Sequence, residues 1–218
     1  MIVAIDGPAG AGKGTLAERI AKHYGLPHLD TGALYRAVAR DLQTRGLRLD
    51  DVWGAVTAAR ALDPSTLSDP TLRGRAAGEA ASIVAKIPEV RTALLNFQRN
   101  FANQPSGAVL DGRDIGTVIC PDATVKIFVT ATVEERARRR YNELKAKGIA
   151  ITEAVVLQQL RDRDKRDGER AVAPMKPATD AALLDTTHLD IDAAFRAAVD
   201  LIETKTGLFG RSSLRGAP

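Results

Sequence analysis

From Asp6 to Leu16 the chain reads Asp-Gly-Pro-Ala-Gly-Ala-Gly-Lys-Gly-Thr-Leu. A short apolar run of β type, Met1–Ile5, precedes it. After Lys13, Leu16, Ala17, Ile20 and Ala21 recur at helical spacing as far as Tyr24. The local order is therefore strand, glycine loop, helix. Glycines let the backbone turn tightly and aim its N–H groups at an anion in front of a helix N-terminus. The pattern G-x-x-x-x-G-K-[ST] is met from Gly7 to Lys13, but Gly14 stands next and Thr15 comes one place later. The expected phosphate cradle is thus Gly7, Pro8, Ala9, Gly10, Ala11, Gly12, Lys13, Gly14 and Thr15, with Lys13 as a mobile charge for β and γ phosphates. With Gly14 in place of a hydroxyl, no direct protein ligand to metal is expected, and Mg²⁺ would be held through water and phosphates. The competing reading, a glycine-rich turn beside a surface lysine, does not account for the strand before and the helix after. A nucleoside triphosphate is the expected ligand.

Composition narrows the class. At 218 residues, 44% hydrophobic and 27% charged, the chain suits one globular domain over 1–218 rather than a disordered or fibrous polymer. The lone Cys120 excludes a disulfide framework and a Cys-based zinc site, and His23, His28 and His188 lack paired metal spacing. No apolar run reaches membrane length, and Asp6 ends the apolar start without a basic segment before it, so neither a membrane partner nor a signal peptide is expected. A cytoplasmic location follows as an expectation. Residues 135–170 carry eleven Lys and Arg against seven Asp and Glu, a surplus that equals the +4 of the whole chain. Such a patch favours an anionic partner. Aromatics at 4% offer few platforms for stacking bases, and the interleaved acids break any phosphate track, so a small phosphorylated ligand fits better than nucleic acid. With no exposed heptad or long edge, a monomer is expected.

Along the chain, Leu26–Asp30 reads as a second strand or turn, and Gly32–Thr44 and Asp50–Leu62 as helices. Asp63–Pro70 is a loop by composition, and Ala76–Ala85 and Pro88–Ala102 are two more helices. Ala108–Asp111, Val125–Val129 and Leu183–Asp185 read as buried strands. Thr132 caps a basic helix to about Lys147, Thr152 caps another to about Lys165, and Ile191–Lys205 is the last. Residues 208–218 are expected to fray. Strands alternating with helices imply an α/β fold on a mostly parallel sheet.

Three further constellations bear on chemistry. Asp30-Thr31-Gly32-Ala33-Leu34-Tyr35-Arg36 ends the second strand and places a hydroxyl, an aromatic and an arginine where they can hold a second anion. Asp111-Gly112-Arg113-Asp114 follows an apolar strand, whose carboxyl end is where α/β ligands sit. Alone, Asp111 could be a turn or cap acid and Arg113 a structural ion-pair partner. In Arg161–Arg170, the residues Arg163, Asp167 and Arg170 share one face if the helix continues, and Gly168 with Pro174 and Pro177 would let the segment, about 161–177, act as a lid. A solvated, salt-bridged helix face is the plainer reading of that run. No Asn-Lys-x-Asp base-reading motif of GTPases is present.

Taken together, GPAGAGKGT, DTGALYR, DGRDIGT and RDKRDGERAVAP, running into LLDTT at Leu183–Thr187, resemble the bacterial cytidylate kinases, (d)CMP kinases among the nucleoside monophosphate kinases. The pieces occur in family order across residues 2–187. The resemblance implies a P-loop three-layer sandwich, with a five-stranded mostly parallel sheet, a short helical lid and a reduced nucleotide-binding insertion. It implies direct in-line phosphoryl transfer from Mg-ATP to CMP and dCMP, with Lys13, Arg113, Arg163 and Arg170 stabilising charge. It assigns the CMP phosphate to Thr31, Tyr35, Arg36 and Arg113. Cytosine falls to Ser82, Arg91, Asp114 and Arg170, and the pentose or phosphate to Arg163 and Asp167. Without it, Ser82 and Arg91 read as ordinary helix-surface residues. The chain departs from the family at Asp63–Arg75, too short and turn-rich for the usual antiparallel insertion, which bears on selectivity among CMP, dCMP and UMP. Kinases acting on UMP, AMP or a phosphate-free metabolite remain the near alternatives, and a P-loop switch or RNA-binding protein the distant one.

Overall fold

The computed structural model describes residues 1–72 and 74–208. Five strands, β1 (Ile2–Asp6), β2 (His28–Asp30), β3 (Ala108–Gly112), β4 (Val125–Thr130) and β5 (Ala182–Asp185), form one sheet in the order β2-β3-β1-β4-β5, every pair parallel. Parallel neighbours need helical crossovers. These are α1 (Lys13–Tyr24), α2 (Thr31–Thr44), α3 (Val52–Arg60), α4 (Arg75–Val84), α5 (Pro88–Ala102), α6 (Val133–Ala146), α7 (Glu153–Gly168) and α8 (Ile191–Thr206).

Alternation along the strands builds the layers. Val3, Ile5, Val109, Ile127 and Val129 face one way, onto Leu16, Ala17 and Ile20 of α1 and Ala198 and Ile202 of α8. Ala4, Ala108 and Leu110 face the other way, onto Ala102 of α5 and onto Ile115 and Ile119. A third cluster joins α2 to α5 around Leu34, Leu42, Val84, Val90 and Leu94. A fourth packs α6 and α7 under Ala9 of the glycine loop through Leu144, Val156 and Leu160. The loop thus lies between two helical groups, the α2–α5 layer and the α6–α7 hairpin.

The expected elements are found, with differences that have local causes. Thr132 Oγ1 accepts from the Glu135 N–H and Thr152 Oγ1 from the Val155 N–H, the caps the sequence placed there. Asp63–Pro70 is not plain loop: residues 64–68 and 70–72 wind into 3-10 turns, the first capped by Asp63 on the Ser65 N–H. The described part of 63–75 holds no strand. Helix α7 stops at Gly168, so Arg170 does not continue its face; the helix is capped at Glu169. After β3 the chain makes a five-residue π turn, Ile115–Ile119, which no sequence pattern announced. From residue 209 on, the tail expected to fray lies outside the described residues.

Candidate active site

The loop's shape comes from glycines with no alternative. A Cβ on Gly7 would stand 2.0 Å from the Val129 carbonyl oxygen of the neighbouring strand, and its φ is +147°. Gly12, the residue before α1, has φ +86°, the left-handed region open to glycine. No side chain caps α1, which leaves its first N–H groups facing the cleft. The loop is held from behind through its carbonyls. Arg136 Nη1 donates to Ala9 O at 3.1 Å, and Thr186 Oγ1 to Ala11 O at 3.2 Å. Arg136 is itself fixed by Asp164 of α7, at 2.6 Å, and by Ala131 O, at 3.0 Å. Neither Arg136 nor Thr186 was singled out from sequence as part of the site. Thr186 lay inside the quoted LLDTT; Arg136 is one arginine among several on a charged helix.

In front of the loop opens a cavity of about 1170 Å³. Ala9–Lys13 and Thr15 line it, together with Arg36, Arg113 and Arg163. The Lys13 ammonium is half-buried by area but closely surrounded by protein. That burial, with Arg113 nearby, pushes its pKa down to about 7. Gly14 and Thr15 open the first turn of α1, Gly14 half-buried and Thr15 exposed.

The residues assigned to the acceptor come from six elements, and those of α4, α5, α7 and the loops after β3 and α7 bond to one another. Asp167 on α7 is the hub. Its Oδ1 accepts from Ser82 Oγ of α4 at 2.9 Å and its Oδ2 from Arg113 Nε at 3.0 Å. Arg163 Nε stands 3.8 Å from the same oxygen. Arg170, although past the helix end, folds back so that its Nε donates to Asp167 O at 3.2 Å. Burial would raise the Asp167 carboxyl, but Arg113, Arg163 and Arg170 hold it below the usual carboxylate range. Arg163, crowded by burial and by Arg113, has its pKa lowered to about 10. Arg91 of α5 pairs with Asp114, and its guanidinium lies 5.7 Å from the centre of the Tyr35 ring. Asp114 is shifted upward by its burial, against the pull of Arg91, Arg170 and Arg113.

Ser82 and Arg91 are thus not surface residues, being 3% and 7% exposed. Each points inward from its helix. Thr31 Oγ1 donates to the Asp111 carbonyl at 2.7 Å, under Gly112, where a Cβ would meet that hydroxyl at 2.6 Å. Arg36 donates to Asp30 Oδ2 at 2.5 Å. Asp111 is neither cap nor turn acid: it is buried, and its Oδ1 meets His28 Nε2 at 2.8 Å. Burial depresses the His28 pKa, and the Asp111 carboxylate more than offsets this, so the imidazole is raised overall.

Among the described residues, four buried guanidinium nitrogens have no hydrogen-bond partner: Arg36 Nε, Arg163 Nε, Arg170 Nη2 and Arg166 Nη1, the last still within ion-pair distance of Glu79. A buried donor left unmade costs about 1–3 kcal/mol, so Arg36 and Arg163, which line the cleft, call for acceptor oxygens supplied from outside. Thr31, Tyr35, Ser82, Arg91, Asp114, Asp167 and Arg170 do not line the cavity itself. They form a packed layer behind Arg113 and Arg163. The basic stretch 135–170 is also largely spent internally. Arg136, Arg138, Arg139, Arg140, Lys147, Arg161, Arg163 and Arg166 each stand within ion-pair distance of a carboxylate. Among the described residues, no helix is long and apolar enough to cross a membrane, and no group of three or more acidic, His or Cys side chains could hold a metal ion.

A glycine loop between the first strand of a five-stranded parallel sheet and the helix that follows it defines a P-loop α/β fold. A solved structure, an uncharacterized protein from Eubacterium ventriosum, shares that fold with a TM-score of 0.55 at 17% identity, over 94% of this chain and 99% of its own. The sequence profile of cytidylate kinase matches residues 3–204. The cytidylate kinase of Rhodopseudomonas palustris strain BisB18 is 59% identical over 203 residues, 93% of this chain and 96% of its own. That of Methylocella silvestris is 59% identical over 204 residues, 94% of each. The chain belongs to the cytidylate kinase family, and by that membership it is a nucleoside monophosphate kinase.

Proposed function

We propose that the protein transfers the γ-phosphoryl group of Mg-ATP directly to the phosphate of CMP or dCMP, giving ADP and CDP or dCDP. The observation that carries this reading is the pair of unpartnered buried guanidinium nitrogens on Arg36 and Arg163, which line the same cleft as Lys13 and the glycine loop. One anion on the loop and a second on the arginines would stand face to face.

The chain's residues then act by position and charge. Loop N–H groups and Lys13 hold the donor phosphates. Arg36, Arg113 and Arg163 hold the acceptor phosphate, whose oxygen is already ionised and needs no general base. That oxygen forms a bond to the γ-phosphorus as the bond to the β–γ bridging oxygen breaks, and the electron pair leaves on ADP. Charge spreads over the equatorial oxygens in passage, where Lys13, Arg113, Arg163 and Arg170 stabilise it. No covalent enzyme intermediate is needed. The residues around Gly14 suit a metal that arrives with ATP as part of the substrate. Gly14 carries no hydroxyl, and Asp111 Oδ2 lies 3.9 Å from where a Cβ there would stand, while Oδ1 is taken by His28. When bound, the ion neutralises charge on the β and γ phosphates.

Cytosine presents one amino donor beside ring acceptors, and the Asp114, Arg91 and Ser82 group supplies one carboxylate with donors around it. Segment 161–177 closes over the bound pair and excludes water, which keeps ATP from being hydrolysed. The short 63–75 segment leaves the nucleoside less enclosed, and the sheet's edge strands β2 and β5, of three and four residues, are short, which suits a protein acting as a monomer. The internal pairing of the 135–170 cations fits small anions better than a nucleic-acid track.

The test is ADP release from Mg-ATP with CMP, dCMP, UMP, AMP and GMP offered singly, beside a control without acceptor. Release dependent on CMP and dCMP is the expected result. Preference for UMP or AMP would move the acceptor assignment, and equal release without acceptor would overturn it.

A further inference from the structure

We infer that Asp6 is a positioning residue for the acceptor side: it caps the Ile115–Ile119 turn from another strand, and so leaves the Asp114 carboxylate free to face Arg91 and the acceptor.

A helical turn begins with backbone N–H groups that lack partners within the turn, and the residue just before it normally supplies a side-chain oxygen. Here that residue is Asp114, an acid well suited to the task, yet its side chain makes no cap bond and is committed to Arg91. The cap comes instead from the centre of the sheet. Asp6 Oδ1 accepts from the Ile115 N–H at 2.7 Å, and Oδ2 from the Gly116 N–H at 2.8 Å. Asp6 is the last residue of β1 and sits immediately before Gly7; it pairs with Gly112 of β3 on one side and Phe128 of β4 on the other. One buried carboxylate therefore ties the root of the phosphate loop to the turn that follows Arg113 and Asp114. An apolar residue at position 6 would fit the strand equally well by pattern. It would leave two buried N–H groups unpaired, and Asp114 would be the nearest acid able to turn back to them.

Burial pushes the Asp6 pKa up to about 6, against the two N–H groups that favour the charged form. The charged and titratable groups facing it are Asp114, which raises it further, and Arg113, which lowers it. Lys126 of β4 reaches the turn with its stem, while its Nζ is held by Asp180 at 2.9 Å. The buried Cys120 thiol just past the turn, itself shifted up to about 11, is near enough to feel the Asp6 charge. Above about pH 6 the carboxylate accepts both bonds. Below it, one oxygen carries a proton and a cap bond is weakened.

The inference rests on the acceptor reading above, and its test has one arm that does not. In the wild-type protein, the amide proton shifts of Ile115 and Gly116 are followed by NMR from pH 5 to 8. The same two amides are compared in Asp6→Asn at pH 7: both should shift and exchange faster with solvent than in wild type, and amides unchanged in shift and exchange would overturn the capping role whatever the enzyme phosphorylates; in wild type a shared midpoint near 6 is expected. In the second arm, Asp6→Asn keeps the size and one acceptor but turns an NH₂ toward the other N–H. The expected result is a rise in KM for CMP of about tenfold, with KM for ATP changed less than about twofold. Wild type is expected to show a rise in CMP KM below pH 6 that the variant lacks, a difference unaffected by titration of CMP because both enzymes share it. Equal losses for ATP and CMP would make Asp6 a general structural residue and end the proposal. Should Asp6→Asn fail to fold, the wild-type amide titration decides alone. If CMP is not the acceptor but the amides titrate, the acceptor reading fails and the cap stands.

Discussion

In the proposed function, the two halves of the cleft recognise anions by different means. On the donor side the groups are mainly backbone N–H, set by the path of nine consecutive residues and by glycines that admit no Cβ, such as Gly7 against Val129 O. On the acceptor side the groups are side chains, brought from α2, α4, α5, α7 and the loops after β3 and α7, and kept in place by bonds to one another or, for Arg36, to Asp30. Backbone recognition is rigid and tolerant of what lies above the phosphates. Side-chain recognition is discriminating, and it carries a standing cost in like charge: Arg113, Arg163 and Arg170 crowd one carboxylate, Asp167. On the proposed reading, the donor half would hold the triphosphate tail and the acceptor half would do the choosing.

The strongest way to break this comparison is to remove the cation that each half aims at the transferring group. Lys13→Ala and Arg113→Ala should each reduce kcat by at least about 10²-fold, as for other preorganised charge stabilisers. The measurement is steady-state turnover on protein shown to be folded by circular dichroism. The two should differ in binding: Arg113→Ala raises KM for CMP most, and Lys13→Ala raises KM for ATP. A variant with near-wild-type turnover would remove that residue from the transfer step.

Next in size is the hub. Asp167→Asn leaves the shape but takes away the charge that Arg113, Arg163 and Arg170 surround. Breaking one side of a buried charge cluster costs on the order of 3–5 kcal/mol, read as a lower midpoint in urea without a change in slope. Adding sulfate should recover part of the loss, because a second anion can bind the exposed guanidiniums. Unaltered stability would mean that the arginines do not repel one another across that carboxylate.

What the sequence alone disclosed follows the same division. The donor loop was legible because its parts are contiguous and its glycines, lysine and following helix form one local pattern. Strands and helices were legible for the same reason, through alternation and caps at Thr132 and Thr152. The acceptor half was legible only in part: Thr31, Tyr35, Arg36, Arg113, Arg163, Asp167 and Arg170 stood in local constellations. Ser82 and Arg91 meet them only when α4 and α5 pack against α7 and the loop after β3, so only the family resemblance brought those two forward. Asp6 was read as the residue that ends an apolar run; its partners are more than a hundred residues away. Arg136 and Thr186 act on loop carbonyls from behind, and no motif for a triphosphate includes what supports it from below.

A third prediction sharpens the claim that choice resides on the acceptor side. Asp114→Ala should narrow the ratio of kcat/KM between CMP and UMP by about tenfold, the order of one hydrogen bond to a charged group. Its KM for ATP should stay within about twofold of wild type. Competition assays with the two acceptors at equal concentration measure the ratio directly. Equal loss for every nucleotide would deny Asp114 a base-reading role.

The smallest effect concerns the donor side's single mobile charge. With no nucleotide bound, burial holds Lys13 near a pKa of about 7. Phosphate oxygens favour the charged ammonium, so ATP binding must raise that value. Between the two values the complex carries a proton that the free protein lacks, and affinity falls as pH rises. Below about 7 both states are protonated and affinity is insensitive to this group. Titration calorimetry at pH 8, in buffers of different ionisation enthalpy, should therefore report uptake of somewhat less than about one proton per ATP. At that pH the triphosphate is itself fully ionised and adds little. In Lys13→Arg, whose guanidinium stays charged throughout, the uptake should vanish even where ATP still binds. An uptake unchanged in that variant would place the proton elsewhere, and the depressed lysine would lose its link to the triphosphate.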